Sequence, residues 1–130
     1  MTPFRHVGRV RWSETDASGR FHFANAFRWA ENAEHDLCRS IRVDAPIGQM
    51  PRRAVSAGFL RPIVAGDDYE VELWVEALGR TSIGYGWRVT VAGAVAVEGR
   101  HTSVHLDEQG VPAPLDDPLR AGLTVHLKER

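Results

Sequence analysis

The chain has one cysteine, Cys38, one lysine, Lys128, and no long hydrophobic run. A lone cysteine excludes an intrachain disulfide and a cysteine metal cluster, so Cys38 is expected to be a small buried apolar residue. No window reaches the roughly 18 consecutive apolar residues that a membrane-spanning helix needs. The N-terminal residues lack the apolar core of a signal peptide. We therefore expect a cytoplasmic protein without a membrane partner.

An excess of one charge is also missing. The 16 basic and 17 acidic residues give a net charge of −1, and the basic residues are scattered along the chain. This pattern argues against nucleic acid as a partner. His101 and His105 fall on one predicted strand face, but about 13 Å apart, which is too far for a shared metal ion. We therefore predict neither a nucleic-acid partner nor a metal.

Alternating apolar and polar residues predict five strands. They are expected at Phe4–Trp12, Arg53–Arg61, Tyr69–Ala77, Ile83–Val91 and Ala94 to about Leu106. In the first strand, Val10 and Trp12 should share one face. The third and fourth strands should pair as a hairpin, and a second tight turn is expected at Ala92-Gly93.

Helical spacing of apolar residues predicts one long helix, from about Asn25 to Arg42, with Asn25 as the N-cap. Pro46, Gly48 and Pro51 place a loop after it. A short helical turn is expected at 117–122, and the tail from Leu123 is not assigned. The order strand, helix and four strands predicts a single α+β domain over residues 1–130, with an antiparallel sheet curled around the helix. The exposed edge of so small a sheet favours pairing with a second subunit.

The segment from Val10 to Asn25 carries the clearest chemical signal. It places Asp16 between a strand and the start of the long helix, and Gly19 allows a sharp turn close to a ligand. Unpaired N–H groups at the start of the helix can polarise a carbonyl. A carboxylate beside such a donor is an acyl-transfer arrangement. An Asp-x-x-Gly segment alone, however, is usually only a turn.

The chain resembles the hot-dog-fold acyl-CoA thioesterases of the 4-hydroxybenzoyl-CoA thioesterase type. The resemblance lies in the segments Trp12–Gly19, Asn25–Trp29, Phe59–Asp67, Gly79–Ser82 and His105–Pro112, in the same order, and covers about four fifths of the chain. It implies a five-stranded antiparallel sheet wrapped around one long central helix. It also implies a homodimer with a continuous sheet, often paired again into a tetramer, and a site at the subunit interface.

The resemblance also assigns residues. The catalytic Asp of the family falls on Asp16, as nucleophile or general base, and the N–H that polarises the thioester carbonyl falls near His22 or Phe23. Gly19 and Asn25 belong to the same segment. Ser82 matches a recurrent Ser of the family. Departures from the family pattern at Arg20, Phe23 and Ala26 prevent the transfer of a particular substrate.

Several weaker candidates remain. Glu31 is a second-choice carboxylate on the helix, against the alternative of a solvated or salt-bridged face, and Glu14 is expected to be a solvated neighbour. His22 could tune Asp16 or simply fill the helix entrance. The phosphates of coenzyme A or of phosphopantetheine could bind arginines, of which the candidates are Arg52, Arg53, Arg88 and Arg100.

The leading hypothesis is a hydrolase that cleaves an acyl thioester of coenzyme A or of an acyl carrier protein to the free acid, without a metal or redox cofactor. One alternative is a hot-dog dehydratase or hydratase acting on 3-hydroxyacyl thioesters, which would pair Asp16 with His22 or His35. The other is a non-catalytic acyl-binding module.

Overall fold

The computed structural model describes residues 2–42 and 50–129. Its elements are β1 (Phe4–Arg9), α1 (Ala24–Ile41), β2 (Arg52–Phe59), β3 (Asp68–Leu78), β4 (Ser82–Val91), β5 (Ala94–Val104) and α2 (Asp117–Thr124), with one turn of 3-10 helix at Trp12–Glu14. The predicted order of one strand, one long helix and four strands is confirmed. Pro46 and Gly48 of the predicted loop lie outside the described residues.

The five strands form one antiparallel sheet in the order β1-β3-β4-β5-β2. The predicted β3–β4 hairpin is confirmed. The next turn has positive φ at both central residues, Ala92 (51°) and Gly93 (79°), which matches the right-handed twist of the flanking strands. In this order β1 and β2 are the two edges, and β2 reaches its edge position beside β5 only after the chain has passed through α1.

Helix α1 packs against the inner face of the sheet, mainly over β1 and β3. The inner face of β4 supplies Ile83, Tyr85, Trp87 and Val89, all buried. Trp29 of α1 stacks on Tyr69 with ring centroids 4.2 Å apart. Burial of such large aromatic side chains is the main favourable term in folding. The inner face of the β2 edge is less covered, and Val55 and Phe59 remain 49% and 45% exposed.

The helix also buries one carboxylate. Glu34 is 1% exposed, and its side chain accepts hydrogen bonds from Arg52 (2.8 Å) and Ser103 (2.7 Å) and contacts His101 Nε2 at 3.1 Å. These partners hold the pKa of Glu34 below its ordinary value, although burial alone would raise it. A buried charge without partners would be costly, so Glu34 needs these contacts. Because its partners lie on β5 and β2, they join α1 to both strands.

The structure corrects several boundaries. The first strand ends at Arg9, and Val10 and Trp12 do not share a face: Val10 is 2% exposed, whereas Trp12, in the 3-10 turn, is 80% exposed. Helix α1 has Phe23 as its N-cap, so the prediction of Asn25 as N-cap is wrong. The second strand ends two residues earlier than predicted, at Phe59.

The C-terminal residues, which the sequence assigned only in part, have defined structure. The expected short helical turn is the eight-residue helix α2, whose N-cap is Asp116: its carboxylate accepts the Leu119 N–H. Beyond it, Leu127 bridges to Val75 of β3.

The buried Cys38 of α1 confirms its expected place in the core, and burial raises the pKa of its thiol to about 11.

Candidate active site

Asp16 lies in a tight turn between the 3-10 helix and α1. Its carbonyl accepts the Gly19 N–H at 3.0 Å, and its own N–H donates to the Arg20 carbonyl at 3.0 Å. Gly19 has φ +78°, which an L side chain rarely adopts. The hairpin-like loop from Thr15 to Phe21 therefore presents the exposed Asp16 side chain at its tip.

The two oxygens of the Asp16 carboxylate have different surroundings. Oδ1 accepts from both the Ser18 hydroxyl (2.5 Å) and the Ser18 N–H (2.8 Å). Within residues 2–42 and 50–129, Oδ2 has no hydrogen-bond donor. The Ser18 hydroxyl, then the Ser18 N–H, lower the pKa of Asp16, with a smaller contribution from the charge of His22. The group is therefore an ionised carboxylate at neutral pH, with one oxygen available to a ligand.

The start of α1 supplies one open donor. The His22 N–H donates to the Glu14 carbonyl at 2.7 Å, the Ala24 N–H to His22 Nδ1 at 3.2 Å, and the Asn25 N–H to the His22 carbonyl. In the described part of the chain, the Phe23 N–H has no acceptor. Of the two amides that the resemblance suggested, only Phe23 is thus available to polarise a carbonyl.

Glu14 holds this loop against the helix, whereas the sequence predicted a solvated side chain. Its carbonyl accepts the Asn25 side-chain N–H at 2.8 Å, and its carboxylate accepts the Trp29 indole N–H at 2.7 Å and the Arg11 N–H at 2.8 Å. Asn25 is thus a buried tie rather than a cap or an exposed ligand. A Glu and an Asn 11 residues apart gave no pattern that would have predicted these contacts.

A cavity of about 390 Å³ opens beside the turn. Asp16 and Ser18 line one part of it, and Phe21, Phe23 and Phe59 supply aromatic walls. The Phe23 and Phe59 rings meet edge to face with centroids 6.3 Å apart. Asp16 and Phe23, the two residues to which the resemblance assigns the carboxylate and the polarising N–H, therefore line one cavity. An ionised carboxylate, an open N–H and an apolar wall can bind and polarise an acyl carbonyl.

Ser82 and Glu31 are not part of this cavity. Ser82 begins β4, whereas the Asp16 loop faces the end of the sheet where Phe59 pairs with Val97. Glu31 lies two helical turns from Phe23, and its carboxylate is 3.2 Å from the Arg52 guanidinium. This contact favours the salt-bridged alternative for Glu31 within one subunit.

The remaining candidates have separate partners. His101 contacts the buried Glu34, whereas His105 Nδ1 contacts the Ala113 carbonyl at 3.1 Å. Of the four candidate arginines, Arg52 is bound to carboxylates of α1, and Arg88 contacts Glu72 at 3.3 Å. Within the described ranges, no three His, Cys, Asp or Glu side chains are grouped to hold a metal ion. The absence of a metal stays a prediction.

His35 of α1 lies 12 residues beyond Phe23, about 18 Å along the helix. It does not face Asp16 within one chain, and His22 already uses Nδ1 on the Ala24 N–H. In residues 2–42 and 50–129, none of the helices could span a lipid bilayer.

Known proteins are similar to this chain in sequence and fold. The chain is 28% identical to a 1,4-dihydroxy-2-naphthoyl-CoA hydrolase of Synechococcus sp. (strain CC9311), over 92% of this chain and 90% of that protein. A predicted thioesterase from Bacillus stearothermophilus superimposes with a TM-score of 0.90 at 24% identity, over 99% of each chain. A thioesterase from Thermus thermophilus, solved with coenzyme A and zinc, is 28% identical over 93% of this chain and 91% of that one, with a TM-score of 0.80.

The family model of the thioesterase superfamily matches residues 18–97, more than half of the chain. The match begins two residues after Asp16, so it covers the helix and most of the sheet but does not assign the carboxylate. The superposition confirms the predicted hot-dog fold. The chain belongs to the thioesterase superfamily, as the resemblance predicted, and is an enzyme of that thioester-hydrolase class.

Proposed function

We propose that the protein hydrolyses acyl-CoA thioesters to coenzyme A and the free carboxylic acid. The observation that carries this proposal is that two residues with open groups line one cavity with aromatic walls: Asp16, whose Oδ2 has no donor among the described residues, and Phe23, whose N–H has no acceptor among them. Two similar proteins, by their names, act on or bind coenzyme A compounds, which supports coenzyme A as the carrier. An acyl carrier protein is the alternative carrier.

The chemistry follows from these two groups. The Phe23 N–H, at the positive end of α1, donates to the thioester oxygen and stabilises the negative charge that develops there. Asp16 Oδ2 then either attacks the carbonyl carbon or removes a proton from an attacking water. In the first route the thiolate leaves, is protonated, and water hydrolyses the resulting anhydride. In the second route water adds directly and the thiolate leaves with the proton.

We further propose that the active form is a homodimer joined along β2, with a tetramer formed by two such dimers as the alternative assembly. Strand β2 is an edge with an unpaired row of backbone groups, and its inner face exposes Val55 and Phe59. Antiparallel pairing with a second copy would continue the sheet and cover these side chains. Light scattering coupled to gel filtration measures the mass directly, and a monomer at assay concentration would contradict this assembly.

The test of the function is release of free thiol from a panel of aliphatic and aromatic acyl-CoA thioesters. The native chain should hydrolyse at least one of them, and Asp16→Ala should lose about a hundredfold or more of kcat. Glu31→Gln is the matched carboxylate variant and should retain activity. Equal activity of native protein and Asp16→Ala would reduce Asp16 to a turn residue and make Glu31 the next candidate.

Further arms of the assay separate the alternatives. If no acyl-CoA is cleaved, the same panel on an acyl carrier protein tests the second carrier. Water added to or lost from a 3-hydroxyacyl or enoyl thioester, with the thioester intact, would instead establish a dehydratase or hydratase. Binding without turnover on either carrier would indicate a non-catalytic acyl-binding module.

A further inference from the structure

The cavity beside Asp16 has more positive than negative side chains. Arg20 follows the turn glycine and Arg61 follows the end of β2, and both line this cavity together with Asp16. Among the described residues, no other acidic side chain lines it. Two guanidinium groups against one carboxylate leave the lining with a net positive charge, in a cavity whose other walls are largely aromatic.

Neither arginine has a partner in the described part of the fold. Across residues 2–42 and 50–129, the guanidinium groups of Arg20 and Arg61 have no hydrogen-bond or ion-pair partner, and both residues are exposed. In contrast, Arg52 is held by Glu31 and Glu34. The Asp16 carboxylate accepts hydrogen bonds from Ser18 and, among the described residues, from neither arginine.

This arrangement has a specific chemical use. A ligand with a negative group near Asp16 would be repelled by the carboxylate unless positive groups compensate. Guanidinium groups bind carboxylate and phosphate oxygens in a planar, often bidentate geometry. The aromatic walls from Phe21, Phe23 and Phe59 would take the apolar part of the same ligand.

We propose that Arg20 and Arg61 form an anion-binding subsite for an oxyanion group of the thioester substrate. That group is either a phosphate of the coenzyme A arm or a carboxylate at the far end of the acyl chain. This proposal rests on the proposed function for its substrate, but it is tested by binding, so that it does not depend on turnover.

The experiment uses four stable thioether ligands, in which a CH₂ replaces the reactive carbonyl. They are S-butyl-coenzyme A, S-(3-carboxypropyl)-coenzyme A, S-butyl-pantetheine and S-(3-carboxypropyl)-pantetheine. Their dissociation constants are measured by calorimetry for the full chain, for Arg20→Gln, Arg61→Gln and the double variant. Arg39→Gln is the matched control, because Arg39 is an exposed arginine about 24 Å along α1 from Phe23.

The two sources of the anion give different patterns. If the subsite binds a coenzyme A phosphate, each single variant should weaken both coenzyme A ligands about five- to tenfold and leave both pantetheine ligands unchanged. If it binds an acyl carboxylate, the loss should follow the carboxypropyl group on either carrier. In both cases Arg39→Gln should bind like the native chain.

Other results overturn the proposal. Equal affinities for all four ligands in the native and double-variant proteins would show that the arginines are only solvated. If the native chain binds none of the four ligands, the subsite is also contradicted, because no oxyanion group is bound there. Hydrolysis in the thiol assay together with arginine-independent binding would leave the proposed function intact and remove the subsite. Arginine-dependent binding without hydrolysis would support the subsite and contradict the proposed hydrolysis.

Discussion

Two Asp-x-x-Gly turns in this chain have almost the same backbone geometry. In the Asp16–Gly19 turn and the Asp107–Gly110 turn, the final glycine N–H donates to the aspartate carbonyl at 3.0 Å, and the glycine φ is +78° and +79°. In both, the carboxylate accepts the N–H two residues later, from Ser18 at 2.8 Å and from Gln109 at 2.9 Å. The local sequence therefore specifies the same turn twice.

The surroundings of the two turns differ. The first is followed by the start of an 18-residue helix with an open N–H, and its aspartate lines an aromatic cavity. The second joins β5 to an extended connection, and its aspartate accepts a further backbone N–H, that of Val111, at 3.0 Å. Turn chemistry thus positions a carboxylate in both places, and the neighbouring helix and cavity are what distinguish the first one.

The largest expected effect separates the two aspartates. Asn retains the side-chain oxygen that closes the turn but lacks the charge, so Asp16→Asn should lower kcat by about a hundredfold or more, because the nucleophile or base is lost. Asp107→Asn should stay within about twofold of the native chain. Steady-state thiol release from an accepted acyl-CoA measures both. Similar losses in the two variants would mean that the turns act only through stability.

A second variant tests the open Phe23 N–H at the start of the helix that follows the first turn. Phe23 has φ −55°, which proline adopts, and lies at the helix start, where proline is tolerated. Phe23→Pro removes the N–H and should lower kcat by about a hundredfold, in the range seen when an oxyanion donor is removed. Phe23→Ala keeps the N–H and is the control for loss of the ring. Equal kcat in the proline and alanine variants would assign no role to the N–H.

Much of the fold could be predicted because its signals are local. Alternation in β3 and β4 and the helical spacing of α1 gave the elements, and the tight turn at Ala92-Gly93 followed from its sequence. The errors lie at boundaries. Trp12 continued the alternation of β1, but the Glu14 N–H donates to the Arg11 carbonyl and starts a 3-10 turn that exposes the indole.

The candidate site was predictable in part for the same reason. Asp16 and Phe23 follow from a contiguous motif and a resemblance. The contact between Glu14 and Trp29, which holds the Asp16 loop against α1, does not, because these residues lie 15 positions apart. The same applies to the contact between Glu34 of α1 and Ser103 of β5, which joins the helix to the sheet. Asn25 looked like an N-cap by residue type, but its side chain is directed to the Glu14 carbonyl instead.

The hydroxyl of Ser18 distinguishes the two turns electrostatically, since the second turn has Gln109 at this position. Its hydrogen bond stabilises the charged carboxylate and lowers the pKa of Asp16. In the proposed mechanism the deprotonated carboxylate is the active form, so activity should be lost as pH falls through this pKa. Ser18→Ala should raise the pKa and move the acid limb of the kcat/KM profile to higher pH, with little change in rate at neutral pH. Ser18→Thr should restore the limb; an unmoved limb in Ser18→Ala would contradict the assignment.

The smallest expected effect compares the glycines. A Cβ added at Gly19 or at Gly110 would meet no atom within 4 Å, so the cost of alanine at either position is only that of the positive φ. Each substitution should lower the free energy of unfolding by about 1 kcal/mol, as measured by denaturant titration. Because the proposed catalytic carboxylate lies in the first turn, only Gly19→Ala should also lower kcat, by a few-fold. An equal fall in kcat for Gly110→Ala would show that lost stability, rather than a displaced Asp16, reduces the rate.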